Sequence, residues 1–196
     1  MGADVIAYPP MRDDLDQIRT ALATALKQAD IVILNGGSSK GGEDFCTRVL
    51  REQGEIIQYQ IAAVPGRPMS LALVEGKPVI NLPGPPLAAY FGADWCIRSI
   101  LRKYLHQPMP YRSRVTAILK TPLSGGGPVE ILHRMQVTKR QDGTFMVEPL
   151  GRNSSSAAVL SSNAQYVMPM HDVAREAGEE IQIELLREES FIPTEC

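Results

Sequence analysis

The sequence lacks the features of a membrane or secreted protein. No apolar run approaches the roughly 20 residues that a membrane-spanning helix needs. The chain does not open on a basic stretch followed by an apolar stretch and a cleavage site. Its three cysteines, Cys46, Cys96 and Cys196, show no CxxC spacing, so we expect structural thiols. These absences favour a cytoplasmic protein in a reducing setting.

The sequence also lacks an excess of either positive or negative charge. Twenty Lys and Arg residues are interspersed with 22 Asp and Glu residues, which leaves a formal net charge of −2. That balance argues against nucleic acid or an anionic membrane surface as a partner. The three histidines, His106, His133 and His171, have no metal-ligand spacing and are expected to be structural.

The first 107 residues alternate strand and helix patterns, which predicts an α/β domain with three layers and a mostly parallel sheet. Ala29–Leu34 is a continuous apolar run, typical of a strand that is buried on both faces. The predicted strands are Gly2–Tyr8, Ala29–Leu34, Ile56–Ala63, Met69–Val74 and Pro78–Leu82, and the predicted helices are Met11–Lys27, Glu43–Gln53 and about Pro86–Leu105. Asp14 is the expected N-cap of the first helix, with Gln17 three positions later.

The pattern changes after Pro108, where the segments become short, alternating and rich in β-branched residues. The predicted strands are Arg114–Lys120, Val129–Thr138, Thr144–Pro149, Tyr166–Met168 and Glu180–Leu186, separated by turns at Ser124–Gly127, Gln141–Gly143 and Gly151–Ser156. Such a series predicts a small β-barrel or sandwich. We therefore expect two domains, 1–107 and 108–196.

The strongest candidate site is the glycine-rich loop from Asn35 to Asp44, which follows a buried strand and precedes a helix. Loops in this position face the crevice where open α/β sheets bind ligands, and glycines let backbone N–H groups approach a phosphate. The predicted ligand-facing residues are Gly36, Gly37, Ser38, Ser39, Lys40 and Gly41. Asp44, in the first helical turn, could hold Mg²⁺ or satisfy the helix dipole. The spacing is not that of a Walker loop.

Two proline–glycine loops are the second and third candidates. One contains Pro65, Gly66 and Arg67, and the other contains Pro83, Gly84 and Pro86. Each follows a predicted strand and is by itself a plain turn. A guanidinium on a rigid loop can bind an anion with two hydrogen bonds, so we predict that Arg67 binds an anion.

Three elements that follow one another along the chain resemble the pterin-binding domain of molybdopterin molybdenumtransferases, the MoeA-type proteins and the gephyrin E domain. They are the strand and glycine loop from Ala29 to Asp44, the PGRP turn at Pro65–Pro68, and the stretch from Gly76-Lys77-Pro78-Val79 to Leu82-Pro83-Gly84. The segment Ala177–Ile181 resembles the closing strand of that family's C-terminal barrel.

The resemblance implies a chemistry. Proteins of this family bind adenylylated molybdopterin and molybdate, insert molybdenum at the dithiolene and release AMP with the help of a divalent cation such as Mg²⁺. It implies that Asp44 is the catalytic and metal-binding acid. It also implies that the glycine loop faces a phosphate and that the two proline–glycine loops bind substrate. A homodimer is expected on the same grounds, with a pterin phosphate as the small-molecule partner.

The sequence departs from the family pattern in four places. Val64 stands where a lysine precedes the PGK turn, Gln60 stands at an often basic position, Pro85 replaces the asparagine of LPGNP, and Asn35 replaces a small hydroxylated residue. The family's preceding strand and helix, with their TGDE-like and DSN-like motifs, are also missing from the chain. We therefore expect a fragment of such a transferase that is inactive alone.

Two other functions are compatible with parts of the pattern. One is a non-catalytic pterin- or nucleotide-binding module, a sensor or scaffold derived from the same family. The other is the related adenylyltransferase or nucleotide-pyrophosphatase branch, against which the β-rich second half argues because those relatives need no barrel.

Overall fold

A computed structural model of the chain describes residues 2–37, 45–109, 111–151 and 156–195. The chain divides into two compact units. The first contains Met1–Ile61 and Gly66–Met109, and the second contains Ala62–Pro65 and Pro110–Cys196. The short segment Ala62–Pro65, which the sequence pattern assigns to the first domain, thus belongs to the second unit.

The elements of the first unit are α1 (Leu15–Gln28), β1 (Val32–Asn35), α2 (Phe45–Gln53), β2 (Glu55–Tyr59), β4 (Ser70–Val74), β5 (Lys77–Leu82), α3 (Pro86–Gly92) and α4 (Arg98–Tyr104). Its four strands form one sheet with the order β1-β5-β4-β2. Strand β1 is parallel to β5, whereas β4 is antiparallel to both β5 and β2. Three strands therefore run in one direction, and β4, joined to β5 by the tight turn at Glu75 and Gly76, runs against them.

Helices α1 and α2 cover one face of this sheet. Helix α1 begins where Asp14 Oδ1 accepts a hydrogen bond from the Gln17 amide over 2.8 Å, as the capping pattern predicts. Its stripe of Ile18, Leu22 and Leu26 is buried in one cluster with residues of α2 and of the sheet. Burial of each such side chain contributes about 1.5–3 kcal/mol to folding.

Helices α3 and α4 cover the other face, which completes the three layers. They form one continuous rod with a π-helical segment, Ala93–Ile97, between them. Close approach to the sheet requires Gly92, because a Cβ there would lie 2.7 Å from Leu82 Cδ2 and 2.9 Å from Met69 Sδ. The segment after the third candidate loop is thereby fixed against β5.

The prediction of a first strand at Gly2–Tyr8 is wrong. Among the residues that the structure describes, none pairs with this segment, which carries no regular secondary structure. Val5 is 85% exposed and Ile6 is 55% exposed. A strand needs a hydrogen-bonded neighbour, and β-propensity alone does not supply one. The predicted strand Ile56–Ala63 is likewise two elements, β2 and the short β3 (Ala63–Val64).

The second unit contains a sheet closed into a five-stranded barrel. Its strands are β6 (Arg114–Leu119), β7 (Glu130–Lys139), β8 (Phe145–Pro149), β9 (Ala164–Met168) and β10 (Glu180–Leu185). They follow the order β7-β8-β6-β10-β9, and β9 also pairs with β7, which closes the sheet, while β3 adds to β7. The barrel interior is apolar, with Met135, Val137 and Val147 fully buried. The fold class expected from the sequence, an α/β domain followed by a small barrel, is confirmed.

Helix α5 (Ser156–Ser161) is a feature that the sequence pattern missed, because the cluster of serines before it resembles a turn. Within the described parts of the chain, no helix is long and apolar enough to cross a membrane.

Candidate functional site

The first and third candidate loops leave neighbouring strands side by side. Asn35 at the end of β1 is in register with Leu82 at the end of β5. Just beyond them the Gly36 amide donates a hydrogen bond to the Leu82 carbonyl oxygen over 3.0 Å. A Cβ on Gly84 would lie 4.0 Å from Gly36 Cα, so the two loops touch through their backbones. They lie at the carboxyl ends of parallel strands, where open α/β sheets bind ligands.

Glycine is required at the start of the first loop. Gly36 and Gly37 have φ angles of 101° and 68°, in the region that favours glycine. A Cβ on Gly37 would also stand 2.7 Å from the Cys46 sulfur in α2. The loop backbone therefore approaches α2 more closely than a side chain would permit.

The second candidate loop turns tightly beside α3. The Ile61 amide donates to the Arg67 carbonyl over 3.0 Å, and the Met69 amide donates to the Gly66 carbonyl over 2.9 Å. Gly66 has a φ of 126°, and a Cβ on it would lie 4.0 Å from the carbonyl oxygen of Ala88 in α3. Gly66 thus lies near the helix that follows the third loop. Pro65, the first residue of this turn, belongs to the second unit.

Arg67 is exposed at this turn. Its guanidinium forms no ion pair with any residue in the described ranges. Pro83 is buried at the base of the third loop, whereas Gly84 and Pro86 are exposed. The described part of the candidate site therefore offers backbone groups and one free cation, a combination suited to an anion.

Five predicted site residues lie outside the described residues: Ser38, Ser39, Lys40, Gly41 and Asp44. The expected metal ligand is among them. Within the ranges that the structure covers, no group of three or more His, Cys, Asp or Glu side chains could hold a metal ion.

Lys77 has a structural role that the sequence pattern did not reveal. Its Nζ donates to the carbonyl oxygens of Leu26, over 2.6 Å, and Ala29, over 3.0 Å. These carbonyls lie at the end of α1, where a positive charge is favourable. The lysine of the Gly76–Val79 element therefore fixes a helix to the sheet.

Two buried polar side chains near the loops also escaped the sequence reasoning. Asn81 in β5 is 0% exposed and Ser70 in β4 is 1% exposed. Among the residues that the structure describes, the Ser70 Oγ and both polar atoms of the Asn81 carboxamide have no hydrogen-bond partner. Nothing in their local pattern separates them from other strand residues.

A family model described as "Probable molybdopterin binding domain" matches residues 1–103, more than half of the chain. This chain belongs to that molybdopterin-binding family.

Named relatives are similar over nearly the whole chain. Molybdopterin molybdenumtransferase of Bacillus subtilis is 27% identical over 192 residues, which is 96% of this chain and 44% of the relative. The protein of the same name from Staphylococcus epidermidis is 27% identical over 193 residues, 97% of this chain and 46% of the relative. The chain thus spans under half the length of these two relatives.

Solved structures share the fold. A molybdopterin biosynthesis MoeA protein from Pyrococcus horikoshii aligns with a TM-score of 0.73 at 21% identity, covering 90% of this chain and 42% of that protein. A molybdenum cofactor biosynthesis protein from Pyrococcus furiosus aligns with a TM-score of 0.68 at 21% identity, covering 89% and 56%.

The departures from the molybdopterin-binding pattern have definite places in the structure. Val64 lies in β3 and pairs with Ile131 of the barrel. Gln60 is half-buried with a φ of 60°, and its carbonyl accepts a hydrogen bond from the Gln58 side chain over 2.7 Å. Pro85 is exposed at the start of α3. None of the three offers a positive charge.

Proposed function

We propose that this chain is part of a molybdopterin molybdenumtransferase and binds adenylylated molybdopterin at its glycine-rich loop. The observation that carries the proposal is the backbone contact between Gly36 and Leu82, which joins the glycine loop to the LPG loop at the carboxyl ends of parallel strands. An edge with two glycine-containing loops presents N–H groups to a phosphate without depending on side chains.

The roles follow from the residues at that edge. Gly36, Gly37, Gly41 and Gly84 contribute backbone, and Ser38, Ser39 and Lys40 contribute donors to the phosphates. Arg67, exposed and without an ion-pair partner in the described ranges, clamps an oxyanion through its planar fork. Pro65, Gly66, Pro83 and Pro86 hold the two turns rigid. Asp44 is the proposed acid for a divalent cation such as Mg²⁺.

Insertion of molybdenum needs more than phosphate binding. Molybdate is an oxyanion and must be held by cations next to the dithiolene, yet Gln60 and Val64 are uncharged. A charge-assisted hydrogen bond contributes about 1.5–3 kcal/mol, and a small misplacement of reactants can cost about 100-fold in rate. We therefore propose that this chain binds its substrate but does not transfer molybdenum by itself.

A non-catalytic pterin- or nucleotide-binding module is the second candidate. Val64 favours it, because a valine in β3 that pairs with the barrel strand β7 supplies structure where the family's lysine would supply charge. Under this alternative the parent protein would also fail to transfer molybdenum, whereas pterin binding would persist.

The remaining properties of the proposed protein concern its organisation. We propose that residues 1–107 and 108–196 are separate domains, that the protein is cytoplasmic, and that it forms a homodimer. The dimer is motivated by Ile33, which is 47% exposed on the edge strand β1 of a sheet that the described residues leave open.

Release of AMP distinguishes the two candidate functions. Adenylylated molybdopterin is supplied with molybdate and Mg²⁺ to this chain and, separately, to the full-length parent protein. Molybdate-dependent AMP release by the parent alone supports the transferase. Tight binding without release by either protein supports the binding module. Release by this chain at enzyme-like rates would show that the uncharged positions do not matter.

A further inference from the structure

Ser70 and Asn81 form a pair on the face of the first sheet that α2 covers. The two residues are directly opposite each other in the antiparallel β4–β5 ladder. Side chains at such positions lie on one face, with Cβ atoms about 4.5–5.5 Å apart. Asn81 shares its face with Val79, two residues earlier, which is buried in one cluster with Val49 and Leu50 of α2.

The pair lies toward the end of the sheet at which α2 begins. Cys46 in that turn is next to Gly37, beyond the end of β1, whereas Gly54 after the last turn lies against Leu73 at the other end of the sheet. Asn81 is in register with Leu34, one residue before the end of β1. Its neighbour Leu82 accepts the hydrogen bond from Gly36. The pair therefore adjoins the proposed phosphate loop on the ligand-binding edge.

The pair is unfavourable for stability as it stands. A buried polar group without a partner costs free energy that an apolar residue of similar size would not. The neighbouring positions Ala72, Val74 and Val79 on this face are apolar and 0–1% exposed. Native proteins leave few such groups unsatisfied, and those that remain are often functional.

We infer that Ser70 and Asn81 are recognition residues for the heterocyclic ring of the ligand whose phosphate the glycine loop binds. This inference rests on the proposed function. A carboxamide offers donors and an acceptor side by side, and the serine hydroxyl offers both. Phosphate has acceptors only and would leave Asn81 Oδ1 unpaired. A ring with adjacent N–H and C=O groups, as in the pyrimidine half of a pterin, satisfies all of them.

The closed position of the pair sets a condition on binding. Both side chains are shut off from solvent, so the ring reaches them only when the helices that cover this face move away from the sheet. The hydrogen bonds gained on binding then offset the cost of that movement, and discrimination is large because a ring without the matching groups leaves the pair unsatisfied.

The test compares two ligands on one protein. Neopterin monophosphate carries ring and phosphate, and ribose 5-phosphate carries the phosphate alone. Asn81→Leu removes the polar groups and keeps the number and branching of the side-chain heavy atoms. Asn163→Leu is the matched control, because the Asn163 carboxamide is satisfied by the amide and carbonyl of Val137 over 2.7 and 2.9 Å.

Asn81→Leu is expected to raise the urea concentration at the midpoint of unfolding. It should lower the affinity for neopterin monophosphate about tenfold and leave the affinity for ribose 5-phosphate within about twofold of the wild-type value. Asn163→Leu should lower the midpoint and leave both affinities unchanged. Ser70→Ala, a smaller change, should lower the affinity for neopterin monophosphate and leave that for ribose 5-phosphate unchanged. This variant serves as the test if Asn81→Leu does not fold.

Three results would overturn the inference. Equal neopterin affinity in wild type and Asn81→Leu would mean that the pair holds internal water only. Equal weakening of both ligands would mean a general effect on the loop. Failure of wild type to bind either ligand would contradict the proposed function itself, and the inference with it.

Discussion

The Gly36 amide donates a hydrogen bond to the Leu82 carbonyl oxygen over 3.0 Å, which brings two loops separated by more than forty residues of sequence into contact. The parallel pairing of β1 and β5 makes this contact possible, because both strands end at the same edge. Backbone from both loops is thereby available to one ligand. The proposed function depends on this relationship more than on any side chain.

Gly37→Ala tests the backbone geometry of the loop. The substitution places a Cβ at a φ of 68° and 2.7 Å from Cys46 Sγ. We expect a loss of about 1–3 kcal/mol in the free energy of unfolding. Urea denaturation of Gly37→Ala with and without Cys46→Ala separates the two causes, because only the clash is relieved in the double variant. An unchanged midpoint for Gly37→Ala would contradict the described approach of loop and helix.

Lys77→Met tests the assignment of this lysine to structure. Two hydrogen bonds from Nζ to the end of α1 would be lost, at a cost of about 1–3 kcal/mol. Lys27→Met, an exposed change in the last turn of the same helix, should cost less than about 0.5 kcal/mol. Both values come from urea unfolding. If Lys77→Met unfolds as wild type does but loses ligand affinity, the lysine belongs to the site instead.

Asp14 and Lys77 show what the local sequence can and cannot predict. The N-cap at Asp14 and the turn at Glu75 and Gly76 were predictable because their determinants lie within a few residues of one another. The role of Lys77 depends on carbonyls 48 and 51 residues away, which no local pattern records.

The failed strand at Gly2–Tyr8 has a related cause. Val5 and Ile6 have high β-propensity, but strand formation depends on a partner strand that the sequence pattern does not specify. At the site, the glycine and proline–glycine loops were identifiable from composition. Ser70 and Asn81 were not, because their burial without a hydrogen-bond partner in the described part of the chain is a property of the packed sheet.

Arg67→Ala tests the proposed anion clamp. Loss of a charge-assisted hydrogen bond should weaken binding of AMP about tenfold or more, measured by isothermal titration. Arg51→Ala is the control, since Arg51 is an exposed arginine of the same unit that lies over the Tyr59 ring. Equal affinities in Arg67→Ala and wild type would remove this residue from the proposed site.

A lysine introduced on β1 tests whether the protein dimerises through the open edge of this strand. Light scattering should give a dimer for wild type, and Ile33→Lys should shift it to monomer, because a lysine on an edge strand blocks pairing. Ile57→Lys changes a similarly exposed isoleucine on β2, the other edge, and should leave the dimer intact. A wild type that is monomeric at high concentration would refute the proposed homodimer, and a dimer that survives Ile33→Lys would place its interface elsewhere.

The central claim is that this chain binds adenylylated molybdopterin at the joined glycine and LPG loops. Its most direct test is calorimetric titration of the purified chain with that compound, with Gly84→Asp as the variant that places a carboxylate beside Gly36. We predict saturable one-to-one binding to wild type and a loss of at least about tenfold in Gly84→Asp, because a negative charge would face the phosphate. No saturable binding to wild type, or equal affinity in the variant, would contradict the account.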